Sequence, residues 1–309
     1  MPVAPGRAMC GNGAMLSRFA IYFDEVARRG SIRRASEHLN VAPSAIDRQI
    51  LKMEDLLQVP LFNRHPHGVR LSAAGEVLIP MIRRWRRELR AAQAQIDELR
   101  GLRRGEVALA LAEGSTEVVT GALAAFRLDY PGIVFRLHIA GSQSIVDLVL
   151  SGEVDIGVTY NPPERQDLRI ERALIYQIGA VMPPDHPLAA FEEVSLDQCV
   201  GYPLVGPDEA HSLRGVVDAA WRANMGGAIP LAAAANSVEL IKELVIGGIG
   251  ITLLAQIDVA REIKQGTLVY RPLTGSRIPL SVLSVVSSSG RQLSPPAALL
   301  IRHLADHDL

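Results

Sequence analysis

Four side chains, Ser44, Asp47, Arg48 and Lys52, carry the most specific chemistry in this 309-residue chain. Beside them Ile46, Ile50, Met53 and Leu57 recur at steps of four, three and four, the inner stripe of a helix, so the polar set faces outward. A cation on such a face can neutralise phosphate or bond the acceptors of guanine, and a carboxylate can accept from the amino group of cytosine. Asp47 is otherwise unfavourable beside phosphates, which leaves orienting Arg48 as its second role. Two short extended runs follow, Pro60-Leu61-Phe62-Asn63-Arg64 and His67-Gly68-Val69-Arg70-Leu71, and add Arg64, Arg70 and two histidines around a Pro/Gly turn.

These groups need a scaffold. Leu16, Phe19, Phe23 and Val26 define a first helical face. Ser31 can cap a second helix whose Ala35 and Leu39 point the same way. Asn40-Val41-Ala42-Pro43 is the turn, because proline disfavours a helical residue before it and suits the first position of the next helix. Two short helices at a sharp angle, the second presenting polar groups, form a helix-turn-helix able to enter a major groove. For this segment alone, a small three-helix core with a solvated face is the alternative. Ser72 then caps a long helix with Glu76 in its first turn, where the dipole favours negative charge.

Taken in order, these motifs resemble the LysR-type transcriptional regulators. The resemblance is carried by Phe23-x-Glu25-Val26-Ala27, Gly30-Ser31, Ala35-x-x-x-Leu39-x-Val41, Ser44-Ala45-Ile46-x-Arg48-Gln49-Ile50, Met53-Glu54-x-x-Leu57, Leu61-Phe62-x-Arg64 and Leu71-Ser72-x-Ala74-Gly75-Glu76. The family often opens its recognition helix with Gln-Pro and places a serine four residues later. Pro43-Ser44 and Asp47 stand there in this chain, so an adenine-reading amide is missing and the operator is not the family's usual one. The expected DNA-binding set is Ser31, Pro43, Ser44, Asp47, Arg48, Lys52, Arg64 and Arg70.

The charge distribution agrees with a polyanion partner for the first part alone. The chain has 32 Lys and Arg against 33 Asp and Glu, but residues 16–104 carry 17 against 10 and residues 105–309 carry 14 against 23. Residues 1–14, MPVAPGRAMCGNGA, lack the apolar core of a secretory signal and read as a disordered extension, with Met15 as an alternative start. No apolar run approaches the ~20 residues of a membrane span. Cys10 and Cys199 form neither a metal spacing nor a disulfide framework, which suits a reducing cytoplasm.

Residues 15–72 are thus expected to be a winged helix-turn-helix, and 73–104 a linker helix and hinge. Leu78, Ile82, Trp85, Leu89, Ala92, Ile96 and Leu99 alternate steps of four and three, a seam along which two copies can pair; Leu78, Ile82, Trp85, Leu89 and Ile96 are its expected dimerisation residues. The alternative is an amphipathic helix lying on its own domain. Pro80 should kink the helix, and Gly101-Leu102-Arg103-Arg104-Gly105 should end it. A dimer with paired wings implies a pseudo-palindromic operator with half-sites about one turn, ~10 bp, apart.

From 105 to 309 strands alternate with helices, predicting an α/β domain with mostly parallel sheets. Strands are expected near 107–112, 133–140, 154–160, 175–182, 204–205, 229–234, 249–254, 268–271 and 280–286, and helices near 116–130, 145–151, 209–223, 238–246 and 295–305. A chain that crosses out at about 160 and back near 273 would form two lobes, which resembles the family's effector domain and the periplasmic solute-binding proteins. Ligands in such folds lie beyond the carboxyl ends of strands, between the lobes. Gly114-Ser115-Thr116, Gly141-Ser142-Gln143-Ser144 and Asn236-Ser237 open helices at three strand ends. The resemblance places Ser115, Thr116, Ser142, Thr159, Asn236 and Ser237 in the effector cleft, although each hydroxyl alone equally suits helix capping. Together they favour a small ligand, expected to be a carboxylate, with His211 and Arg214 as a cationic wall only if they leave an exposed helix face.

No nucleophile elbow, phosphate-cradling glycine loop or histidine–carboxylate cluster is present, so catalysis, cofactors and metals are not expected. Gly247-Gly248-Ile249-Gly250-Ile251 follows a helix and enters a strand, the reverse of a dinucleotide site. The expected function is sequence-specific DNA binding switched by a small molecule. The alternative is a cytoplasmic sensor that never reads an operator. Expected partners are double-stranded DNA, the effector, a second copy of the chain and, by the resemblance, a tetramer and RNA polymerase.

Overall fold

The structure, a computed structural model, describes residues 18–66, 68–99, 104–209, 212–275 and 280–306. The extension over 1–14, Met15, Leu16, His67, Gly101 and His211 lie outside them. The chain divides into two compact units, residues 1–92 and 93–309.

In the first unit α1 (Arg18–Arg29), α2 (Ile32–Leu39) and α3 (Pro43–Leu57) precede a hairpin of β1 (Phe62–His65) and β2 (Gly68–Leu71), and α4 (Ala73–Leu99) follows. Ser31 caps α2 by accepting from the Arg34 N–H, Asn40 ends it in the left-handed region at φ 52°, and Pro43 opens α3. Ser72 starts α4: its hydroxyl donates to the Pro60 carbonyl at 2.6 Å and accepts from the Gly75 N–H at 3.1 Å. The core gathers Phe19, Phe23, Val26, Ala35, Ile46, Ile50, Leu61 and Phe62. Phe23 is fully buried between the rings of Phe19 and Phe62, with centroids 5.4 and 5.0 Å away. Leu57, expected in the inner stripe, is exposed, since α3 ends there and Gln58 turns the chain away at φ 55°.

The first turns of α4 close this same core. Ile79 and Ile82 are buried in it and Leu78 packs against it, while Arg83 and Arg86 pair with Asp24 of α1. Leu78 and Ile82, expected in the pairing seam, therefore serve their own protomer. The apolar stripe left exposed runs through Val77, Met81, Trp85 and Ile96, with Leu89 half-buried. The correction has a simple cause: one face of α4 meets its own domain first, so the exposed apolar stripe starts one residue earlier, at Val77.

The second unit contains β3 (Gly105–Leu111), a 3-10 turn (Glu113–Ser115), α5 (Thr116–Asp129), β4 (Ile133–Ile139), α6 (Ser142–Ser151), β5 (Ile156–Tyr160) and β6 (Leu168–Met182). After them come β7 (Val194–Ser195), α7 (Leu196–Cys199), β8 (Leu204–Pro207), α8 (Ser212–Met225), β9 (Leu231–Ala235), α9 (Val238–Ile246) and β10 (Thr252–Ala255). A 3-10 turn (Gln256–Val259), α10 (Ala260–Gln265), β11 (Val269–Thr274), β12 (Leu280–Ser288) and α11 (Pro295–Asp306) complete it. Two separate apolar cores define two lobes. In the first, parallel β4-β3-β5 continue into β12 and the first part of β6. In the second, β8 and β9 pair in parallel, Leu204 bridges to Ile251 ahead of β10, and β10 and β11 flank the last part of β6.

The sheets are mixed rather than mostly parallel. β12 runs antiparallel to β5 and β6, and β6 antiparallel to β10 and β11, because these strands enter from the other lobe and not through a helical crossover. The outward crossing lies inside β6: Leu168–Gln177 pair with β12, and Ile178–Met182 pair with the second lobe. Gly179 permits the passage, since a Cβ there would lie 2.4 Å from the Tyr270 ring and 2.5 Å from the Arg271 carbonyl.

The burial of Phe23 yields a stability prediction. Phe23→Ala should destabilise the first unit by about 3–5 kcal/mol, seen as a separate early transition in thermal unfolding of the full chain. Unfolding unchanged from wild type would contradict the described core.

Candidate DNA-binding surface and ligand cleft

α3 exposes Pro43, Ser44, Arg48 and Lys52, and β2 exposes Arg70 opposite Asn63 of β1. Among the described residues, none of those three cations has an ion-pair partner. Asp47 is paired with Arg64 of the wing, Oδ1 to Nη2 at 2.7 Å, and not with Arg48. The expected orienting role thus passes to Arg64, whose guanidinium is held on the recognition-helix side of the hairpin. The wing is also fixed from behind, where the Val69 N–H donates to the Gly30 carbonyl at 2.9 Å. Gly68 is required at that approach: at φ 143° its Cβ would stand 2.3 Å from the same carbonyl oxygen. Ser31 is half-buried, with its hydroxyl engaged on Arg34. The surface therefore combines free cations for phosphate or guanine with one guanidinium of fixed direction.

In the second unit a cavity of about 310 Å³ lies between the lobes. The first lobe supplies Glu113, Gly114, Gly141, Ser142, Tyr160 and Ser281; the second supplies Asp208, Leu213, Asn236 and Val238, and Asp258 lies in the turn between them. Of the six expected effector residues, Ser142 and Asn236 line the cavity. The buried Ser115 hydroxyl donates to the Ala112 carbonyl at 2.7 Å, and Thr116 donates to that of Glu113 at 2.6 Å. Both are thus spent on the turn that opens α5. Thr159 is fully buried and its hydroxyl reaches the Ser142 carbonyl at 3.4 Å. Ser237 caps α9 by accepting from the Leu240 N–H and donates to Glu113 Oε1 at 2.8 Å.

The acids of the cleft carry no local signal in the sequence. Glu113, Asp208 and Asp258 all border the cavity, and no lysine or arginine does so among the described lining residues. Arg214 is turned away, bonded to Asp218 and the Pro207 carbonyl. Tyr160 Oη donates to Asp258 Oδ1 at 2.8 Å, and the Ala255 N–H donates to Oδ2 at 3.1 Å. Burial pushes the Asp258 carboxyl up to about 6, against the pull of the Tyr160 hydroxyl and the Ala255 N–H, and burial beside this acid drives the Tyr160 phenol well above its usual value. The one described cysteine, Cys199, is fully buried and its thiol is pushed up to about 11 by burial, so it is protonated and unreactive at neutral pH. No group of metal-ligating side chains exists among the described residues, and no described helix is long and apolar enough to cross a membrane.

A winged helix-turn-helix with a cationic outer face, joined in one chain to a two-lobed α/β domain with a cleft, defines a ligand-sensing DNA-binding regulator. The family model of the LysR substrate binding domain matches residues 100–308, and that of the bacterial regulatory helix-turn-helix protein, lysR family, matches residues 18–76. The chain belongs to the LysR family of transcriptional regulators, and its work is regulation rather than catalysis. It is 27% identical to the HTH-type transcriptional activator CmpR of Synechocystis over 297 residues, covering 96% of each chain. It is 26% identical over 275 residues to the RuBisCO operon transcriptional regulator of Allochromatium vinosum, covering 89% of this chain and 90% of that protein. Its fold matches full-length CbnR, solved with its target DNA, at a TM-score of 0.69 and 18% identity, over 94% of this chain and 99% of that one.

Asp258 gives a pH prediction. An unfolded aspartate titrates near 3.9 and the folded one near 6, so between those values the folded state holds the extra proton and loses stability as pH rises. Asp258→Asn removes this penalty. The Tm of the variant relative to wild type should increase from pH 5 to pH 7.5, by the equivalent of about 1–3 kcal/mol. A difference independent of pH, in thermal melts of both proteins, would place the titration elsewhere.

Proposed function

We propose that this chain binds a pseudo-palindromic operator as a dimer and that a small molecule between the two lobes changes how protomers pack. The observation that carries this reading is an exposed cationic recognition helix on the same chain as a polar cleft. Ser44, Arg48, Lys52 and Arg70 make the free contacts, while Asp47 directs Arg64. Pro43 and Ser31 shape the ends of the helices that present them. Residues 15–72 act as the DNA-binding domain, 73–104 as the linker and 105–309 as the effector domain. Val77, Met81, Trp85, Leu89 and Ile96 of α4 form the seam to a second copy. Tetramer assembly and contact with RNA polymerase belong to the same reading, as does action in the cytoplasm, where the operator lies.

The effector reading is narrowed by the lining. A carboxylate in this cleft would seat on the first turn of α6, which begins at Gly141-Ser142 with no side-chain cap. The rest of the molecule must meet Glu113, Asp208 and Asp258, so it should carry hydroxyl or amino donors. Ser142 and Asn236 are placed to bond it; Ser115, Thr116, Thr159 and Ser237 support the turns around it.

Arg48→Ala should weaken binding to the DNA upstream of the chain's own gene by about 5- to 100-fold without unfolding the protein, as one base or phosphate contact predicts, and wild-type affinity should fall steeply with salt. A folded Arg48→Ala protein with wild-type affinity in a gel shift would refute the assignment. Thermal-shift screening should favour hydroxy- and amino-carboxylates over plain ones, with the shift lost in Asn236→Ala. Equal shifts for plain carboxylates would remove the role given to the acidic wall.

A further inference from the structure

The positive end of α9 faces the cleft, and the chain's own Glu113 already occupies it. Glu113 Oε1 accepts from the Ser237 hydroxyl and Oε2 accepts from the Val238 N–H, both at 2.8 Å. A carboxylate across two donors at a helix start is a strongly favoured arrangement, since unpaired N–H groups and the helix dipole both point at it. The two partners lie 124 and 125 residues from Glu113 and belong to the other lobe. Glu113 stands three residues before the start of α5, yet its carboxylate is delivered across the cleft to α9.

Two further ties lie near this contact. Tyr160 of the first lobe reaches Asp258, and Lys264 of α10 reaches Glu117 of α5 at 3.4 Å. The fit is close, because a Cβ on Gly114 would lie 2.0 Å from Asp258 Oδ1. Both chain crossings between the lobes pass Gln177 of β6 and Leu280 of β12, and the Asp258 turn lies beside them, since Ala255 of β10 pairs with Ile178. The Glu113–α9 and Lys264–Glu117 contacts run from the first lobe to helices of the second, and ties across the cleft are what a closure about a hinge requires.

We propose that Glu113 is a built-in latch: by holding the start of α9 it keeps the two lobes closed when no ligand is bound, and sets the balance that a ligand must shift. The proposal rests on the reading of the cleft as the effector site, and adds to it a residue that acts before any ligand arrives. A ligand can alter this balance only by its difference in affinity between latched and released forms.

Hydrogen exchange on the ligand-free full chain tests it. In Glu113→Ala the amide of Val238 should exchange about tenfold faster, and so should that of Ala255, whose side chain packs in the first lobe's core while its strand pairs with β6 in the second; amides of β3 should keep their protection. Glu113→Gln, which keeps the shape and one acceptor, should fall between, and serves if the alanine variant does not fold. Gly114→Ala should reproduce the effect by wedging the same edge. Wild-type exchange at Val238, or a change at Val238 alone with Ala255 unmoved, would reduce the contact to a local cap and overturn the latch. Gel shifts on the same samples separate the two readings: loss of operator binding in wild type would sink the regulator reading and leave the exchange result standing.

Discussion

β6 must find partners in both lobes, β12 over its first part and β10 and β11 over its last, and the second unit is built around that requirement. Buried backbone donors and acceptors cannot be left open, so a strand that leaves one lobe has to find partners in the next within a residue. Gln177 still faces Leu280 of β12, and Ile178 already faces Ala255 of β10. The burial of β6 changes at the same point, from half-exposed alternation to five consecutive buried residues. Each lobe retains its own apolar core, and the cleft between them is lined by the polar ends of strands and helices.

That lining explains why the cleft is acidic although its domain is built by ordinary helix capping. Hydroxyls at strand ends are already engaged: Ser115 and Thr116 by carbonyls three residues back, Ser237 by its own helix and by Glu113. The other polar groups that border the cleft are longer-reaching and include Glu113, Asp208, Asp258 and the Tyr160 phenol. The two units also divide the charge between them. Under the proposed function the cations of α3 and the wing face a polyanion, whereas the acidic residues of the second unit keep that part from competing for it.

Elements with strong local signals were legible in the sequence. α9 was expected over 238–246 and is found there, because a serine cap and a four-three apolar rhythm both act within a few residues. The start of β6 was not legible: Arg169, Glu171 and Arg172 break the apolar run, so the strand was expected from 175 and begins at Leu168. These charged residues are tolerated because that stretch is half-exposed. In the site, the hydroxyl at Ser142 and the amide at Asn236 could be found from their places at strand ends. Glu113 and Asp258 could not, since their partners are 124 and 98 residues away in the chain and nothing local marks the pairing. In α4 the rhythm marks an apolar face but not its rotation, because periodicity alone does not say which of two adjacent apolar residues the domain will claim.

The Asp47–Arg64 bridge makes the recognition helix and the hairpin beside it a single reading head. A protein engineer who transplanted another regulator's recognition helix into this scaffold would strand Arg64 without its tether, and the hairpin would approach the backbone of the duplex differently. Under the proposed function, operator preference is therefore inherited as a pair of residues seventeen positions apart, and retargeting it means redesigning both together.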